Sequence, residues 1–240
     1  MADIDYRDLL WEIRAELPGA PEPLVFFHYA EAVREFFRQS KAWQYNSPSA
    51  LDLNLSTAFP TISAGTEIPA NTYVVEPTSI KWSDGQKILF KTRDQMDLID
   101  ADWEQATGTK SKYWTITAPG AWRLYPLLTA NQTGILYMRF AIAPTMTTAS
   151  PRTSIPEELA YEWKQVWTHG ALSRLMKIPG KDWSSVNLAA QYGNLFAQGI
   201  KEAKSRAAAD YGRPDRSVQY GGLGIGGGYA GTRTSDDYGS

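Results

Sequence analysis

Asn46-Ser47-Pro48-Ser49-Ala50-Leu51-Asp52-Leu53-Asn54-Leu55 is where the chain changes texture. Before it, apolar residues recur at helical spacing. Within it, Leu51, Leu53 and Leu55 alternate with Asp52 and Asn54, the period of a half-buried strand. Strand-like runs continue at 72–76, 79–82, 87–91, 113–117, 121–125 and 134–143. Ser83-Asp84-Gly85 suits a hairpin turn, and Pro119-Gly120 and residues 131–134 also punctuate. Seven short strands with turn residues between them predict an antiparallel sandwich or barrel-like domain over 48–150. Residues 94–104 stand apart, as either a helical turn or an acidic loop.

Toward the amino terminus, residues 3–17 carry Tyr6, Leu9, Leu10, Ile13 and Leu17 at helical spacing, with Asp3 or Asp5 able to cap. Pro18-Gly19 ends that segment, and Pro21-Glu22-Pro23 opens a second helix over roughly 22–41. Val25, Tyr29, Val33 and Phe36 form its stripe, widened by Phe26, Ala30 and Phe37, so it should touch more than one neighbour.

Toward the carboxyl terminus, Ser154 with Glu157 reads as a capping box for a helix running to about 177. Its face includes Leu159, Trp163, Val166, Trp167, Leu172 and Leu175. Asp182 or Ser184 can cap a last helix over roughly 185–211, with Leu188, Ala189, Tyr192, Leu195, Phe196, Ile200 and Ala203 on one side. Gly170, Gly193 and Gly199 fall inside these helices, each costing up to about 1 kcal/mol relative to Ala. Close helix–helix approach would offset that cost. The expected fold is therefore α+β: an antiparallel bundle of about four helices, an inserted β domain and an extended tail. The corresponding divisions are 1–47, 48–150, 151–212 and 213–240.

Residues 217–240 hold 8 Gly and a Tyr about every nine positions. Such a stretch buries too little to offset its backbone entropy, so its aromatics are better suited to anchor on another molecule. The candidate binding residues are Tyr220, Gly222, Leu223, Ile225, Tyr229 and Tyr238. The run from Gly222 to Gly227 satisfies G-x-G-x-x-G by spacing. A dinucleotide site needs a strand before that motif and a helix after it, and this composition predicts neither.

A net charge of −2 offers no strong basic balance for nucleic acid. The absence of cysteine excludes disulfides, thiolate metal sites and thiol nucleophiles. No apolar run approaches the length of a membrane span, and the acidic start lacks signal-peptide features. His28 and His169, the only two histidines, read as structural or surface residues. Asp94, Asp97, Asp100, Asp102 and Glu104 lack the EF-hand order and read as a solvated face, with paired acid/base carboxylates as the rival reading. Neither a catalytic nor a metal or cofactor site is expected. Trp82, Trp103, Trp114 and Trp122 read as core or interface residues, with a carbohydrate- or host-surface-binding face as the alternative function.

Several segments, in order, resemble the head-to-tail adaptor (connector) proteins of tailed bacteriophages. They are 17–24, Trp82-Ser83-Asp84-Gly85, Arg123-Leu124-Tyr125-Pro126, 155–159, 169–175, 179–183, and 189–204 with Gly199-Ile200-Lys201-Glu202. The likeness covers nearly all of 3–210. It implies a virion structural protein, made in the host cytoplasm, that forms a ring (commonly a dodecamer) beneath the portal. Its partners would be copies of itself, the portal, the next neck or tail component, and double-stranded DNA passing through the lumen without sequence-specific binding. The resemblance also implies that the carboxy-terminal segment engages the portal.

Overall fold

The computed structural model describes residues 3–53, 59–60, 62–118, 121–146 and 153–209. Leu55, the Pro119-Gly120 turn and every candidate binding residue of the glycine-rich tail lie outside them. The described chain is α+β. Its helices are α1 (Trp11–Glu16), α2 (Glu22–Ser40), α3 (Arg93–Ile99), α4 (Glu157–Leu175) and α5 (Val186–Ala208). Its strands are β1 (Asp3–Asp5), β2 (Gln44–Asn46), β3 (Leu51–Leu53), β4 (Thr72–Trp82), β5 (Lys87–Phe90) and β6 (Thr107–Gly108), followed by β7 (Tyr113–Ala118), β8 (Ala121–Tyr125), β9 (Leu127–Leu128), β10 (Gln132–Pro144) and β11 (Ser154–Pro156).

Three helix starts differ from expectation. Residues 3–17 are not one helix: β1 pairs antiparallel with β11, a 3₁₀ turn spans Tyr6–Leu9, and only then does α1 begin. Asp5 caps the 3₁₀ turn, its carboxylate accepting from the Arg7 amide at 2.8 Å. The Ser154 capping box also does not form. Ser154 lies in β11 and its hydroxyl donates to Asp3, while α4 starts after Pro156 with no side-chain cap. The reason is local: Ile155 precedes a proline, which disfavours helical backbone there and leaves 154–156 extended. At α5 the cap is Ser185, rather than Asp182 or Ser184.

Seven strands form one sheet in the order β2-β10-β4-β5-β7-β8, with β3 also pairing with β10. All these ladders are antiparallel except β5–β7. The two runs expected at 72–76 and 79–82 are a single strand. Pro77 sits inside it, and the register against β10 shifts beside it, between Arg139 and Phe140. A bulge accommodates a residue that has no amide hydrogen to give the ladder.

The helices and the sheet share one apolar core. Ile80, Trp82, Leu136 and Phe140 from the sheet join Phe36, Phe37, Trp163 and Trp167 from the helices. Rings of Tyr29, Phe36, Phe37, Trp43, Trp163 and Trp167 pack at centroid distances of 5.4–6.4 Å between residues of different elements. The helical glycines explain themselves. A Cβ on Gly199 would stand 2.4 Å from Val166, and one on Gly170 would stand 2.8 Å from the Phe196 ring. Both mark the α4–α5 contact, where the facing Val166 and Phe196 side chains occupy the space a Cβ would need.

Candidate functional site

The carboxylates of 94–104 are arranged by a real helix. Thr92 and Gln95 form a reciprocal capping box for α3, which decides the helix-or-loop question in favour of helix followed by turns. Asp97 accepts from the Trp103 indole at 2.7 Å, and Asp100 accepts from the Tyr125 hydroxyl at 2.9 Å. Arg93 pairs with Glu104, whose backbone carbonyl accepts from Arg123. Two of these contacts, Asp100 with Tyr125 and Glu104 with Arg123, anchor the segment to β8, and the other two close it on itself. Asp94 and Asp102 stay exposed. Among the described residues, no group of three His, Asp or Glu is placed to hold a metal ion.

Both histidines are half-buried. His169 stacks on Tyr192 at 5.6 Å, and Tyr192 donates to Glu16 at 2.8 Å. Burial lowers the His169 imidazole, against the raising influence of Glu16 and Glu12. Burial likewise lowers His28, with Glu31 raising it and Arg174 lowering it further. Tyr192 is raised by burial and by its bond to Glu16.

The tryptophans are mostly core. Trp82, Trp103 and Trp114 are buried, and Trp122 is half-buried against Phe59 at 5.4 Å. Coplanar exposed rings, which sugar stacking requires, are therefore not present at these four positions. The excess of Trp serves packing first: Trp43, Trp163 and Trp167 are buried as well. Sequence periodicity could not separate core rings from interface rings, because both are apolar and aromatic.

Two further surfaces stand out. One lies on the outer helices, where Trp11 is 61% exposed and Val186, Leu188 and Leu195 are also exposed. The other is a groove of about 750 Å³ between the carboxyl end of α5 and the sheet. Its walls carry Lys41, Lys81, Lys87, Arg139 and Lys204 against a single carboxylate, Glu76. Lys41 pairs with Glu76 at 2.5 Å. Phe90, Trp114 and Ile116 supply an apolar floor. Sequence reasoning missed this groove, because its cations come from four separate stretches that only the fold brings together.

Comparison with known proteins follows the same line. No curated protein matches the chain. The family model described as SU10 adaptor protein matches residues 4–218, a span that includes nearly every described residue. The helix–sheet–helix order, the shared core and this match agree, and the chain belongs to the SU10 adaptor protein family, a family of phage head-to-tail adaptors.

Proposed function

We propose that this protein forms a ring under the portal of a tailed phage, extends the DNA channel and offers an attachment platform to the next neck or tail component. The observation that carries the reading is the adaptor-family match over 4–218. The exposed apolar side chains of the outer helices and the basic groove support it, since subunits of a ring need surfaces for neighbours. The working units are the helical parts 1–47 and 151–212, the β insertion 48–150, whose described strands form one open mixed sheet rather than the expected antiparallel sandwich or barrel, and the tail 213–240. The helical parts form the bundle that faces the portal. The tail threads the portal through Tyr220, Gly222, Leu223, Ile225, Tyr229 and Tyr238, and many tails in one ring add avidity to weak single contacts. DNA passes without sequence-specific contact, and no reaction is assigned.

Imaging of purified particles tests the reading: density for this chain belongs between capsid and tail, and its absence there overturns the assignment. Deleting 213–240 should leave thermal unfolding of the fold unchanged and abolish docking to purified portal. Unchanged docking would remove the tail from the interface.

A further inference from the structure

The sheet end formed by β5, β7 and β8 has two unlike faces. Alternation along β7 sends Tyr113 and Thr115 to one side and Trp114 and Ile116 to the other. The partners on β8 follow suit, Tyr113 opposite Tyr125 and Thr115 opposite Arg123, Trp114 opposite Leu124 and Ile116 opposite Trp122. On the first face sits α3 with the turns after it, tied down by Tyr125 to Asp100 and by Arg123 to Glu104. On the second face opens the basic groove floored by Phe90, Trp114 and Ile116.

The α3 segment, 93–104, carries five carboxylates against one cation of its own, Arg93. It also exposes two large apolar residues, Leu98 at 87% and Ile99 at 46%. The groove is its counterpart: five cations against one carboxylate, around an apolar floor on which Phe90 is 46% exposed. Lys81, Lys87 and Lys204 have no ion-pair partner among the described residues. An acidic projection with an apolar tip and a basic hollow with an apolar floor are complementary in both charge and hydrophobicity. Lying on opposite faces of the same strands, they cannot satisfy each other within one molecule. Two-fold pairing would bring like faces together; a head-to-tail contact joins unlike ones and propagates from copy to copy.

The geometry points to a subunit interface in which α3 of one copy, led by Leu98 and Ile99, seats in the Lys81–Lys87–Lys204 groove of the next. This inference rests on the ring reading above and names the surfaces that make the ring. A phosphate backbone is the competing occupant of a basic groove, but the exposed apolar floor favours a protein side chain.

The chain has no cysteine, so a disulfide reports the contact directly. Full-length Leu98→Cys/Ile116→Cys, incorporated into particles and oxidised, should give a ladder of covalent oligomers on a non-reducing gel. Each single variant should stay monomeric. A visible neck ring without the ladder overturns this interface and leaves the ring reading intact; a neck without this chain overturns both. A ladder rung formed by one single variant alone means like-to-like pairing and overturns the head-to-tail arrangement. Charge reversal gives a second readout. Lys81→Glu/Lys87→Glu and Asp94→Lys/Asp102→Lys should each lower ring incorporation about tenfold or more. Mixing the two variants should restore it, because each mismatched face then meets its complement. Failure of the mixture to rescue counts against the interface, and loss that tracks DNA retention instead assigns the groove to phosphate.

Discussion

The α4–α5 hairpin and the α3 flap are built on opposite principles. The hairpin is sealed by shape: Gly170 and Gly199 let two long helices touch, and an aromatic cluster fills the space beneath them. The flap turns only Met96 and Trp103 inward, is held by polar pins, and leaves Leu98 and Ile99 outside. Apolar side chains turned inward stabilise the monomer; the same side chains turned outward are available to a neighbour. If the proposed interface forms, stability and assembly should be separable by mutation.

The largest expected effect is on the hairpin side. Trp167 is fully buried against Tyr29, Phe36 and Phe37, and Trp167→Ala should cost about 3–5 kcal/mol in denaturant unfolding. A loss below about 1 kcal/mol would mean the cluster is not the centre of stability. Next comes Gly199→Ala. With Val166 only 2.4 Å from the added methyl, the helices must separate, at about 1–3 kcal/mol by thermal unfolding. A neutral or stabilising result, as ordinary helix propensity favours, would refute the close approach.

On the flap, Asp97→Ala strands the buried Trp103 indole N–H and should cost about 1–3 kcal/mol locally. Hydrogen exchange should rise across 93–104 while the hairpin amides keep their protection. Equal loosening of both regions would show that the flap is not an independent unit.

The smallest effect is that of pH. Burial lowers both imidazoles, so the unfolded chain binds protons more readily than the folded one. The stability they contribute is fully present above the unfolded value of 6.5 and is lost as pH falls from there through the lowered folded values. The melting temperature should fall modestly between about pH 7.5 and about pH 5.5, and His28→Gln/His169→Gln should flatten that slope. An unchanged slope in the double variant would place the titration elsewhere.

Much of this was legible in the residues. The alternation at Leu51 and Leu53, the hairpin turn at Ser83-Asp84-Gly85 and most of the apolar stripes of α2, α4 and α5 are local signals that appear where their period places them, although Leu188 and Leu195 of the α5 stripe are exposed. Ser154 misled because a capping-box pattern and a pre-proline restriction competed at one place, and pairing with β1 favoured the extended form. The segment 3–17 misled for the same reason: its apolar spacing is helical, but its first residues found a partner strand 150 residues away.

Spacing and composition alone determined the helix–β–helix division, the lack of thiol chemistry and the glycine-rich tail, and the resemblance of ordered segments gave the likeness to phage adaptors. Only the tertiary structure decided which tryptophans are core, that Asp97 and Asp100 hydrogen-bond Trp103 and Tyr125, and that lysines from distant segments share one groove. The physical reason is range. Periodicity and turn chemistry act between neighbours along the chain, whereas burial and charge clustering depend on which distant segments come together.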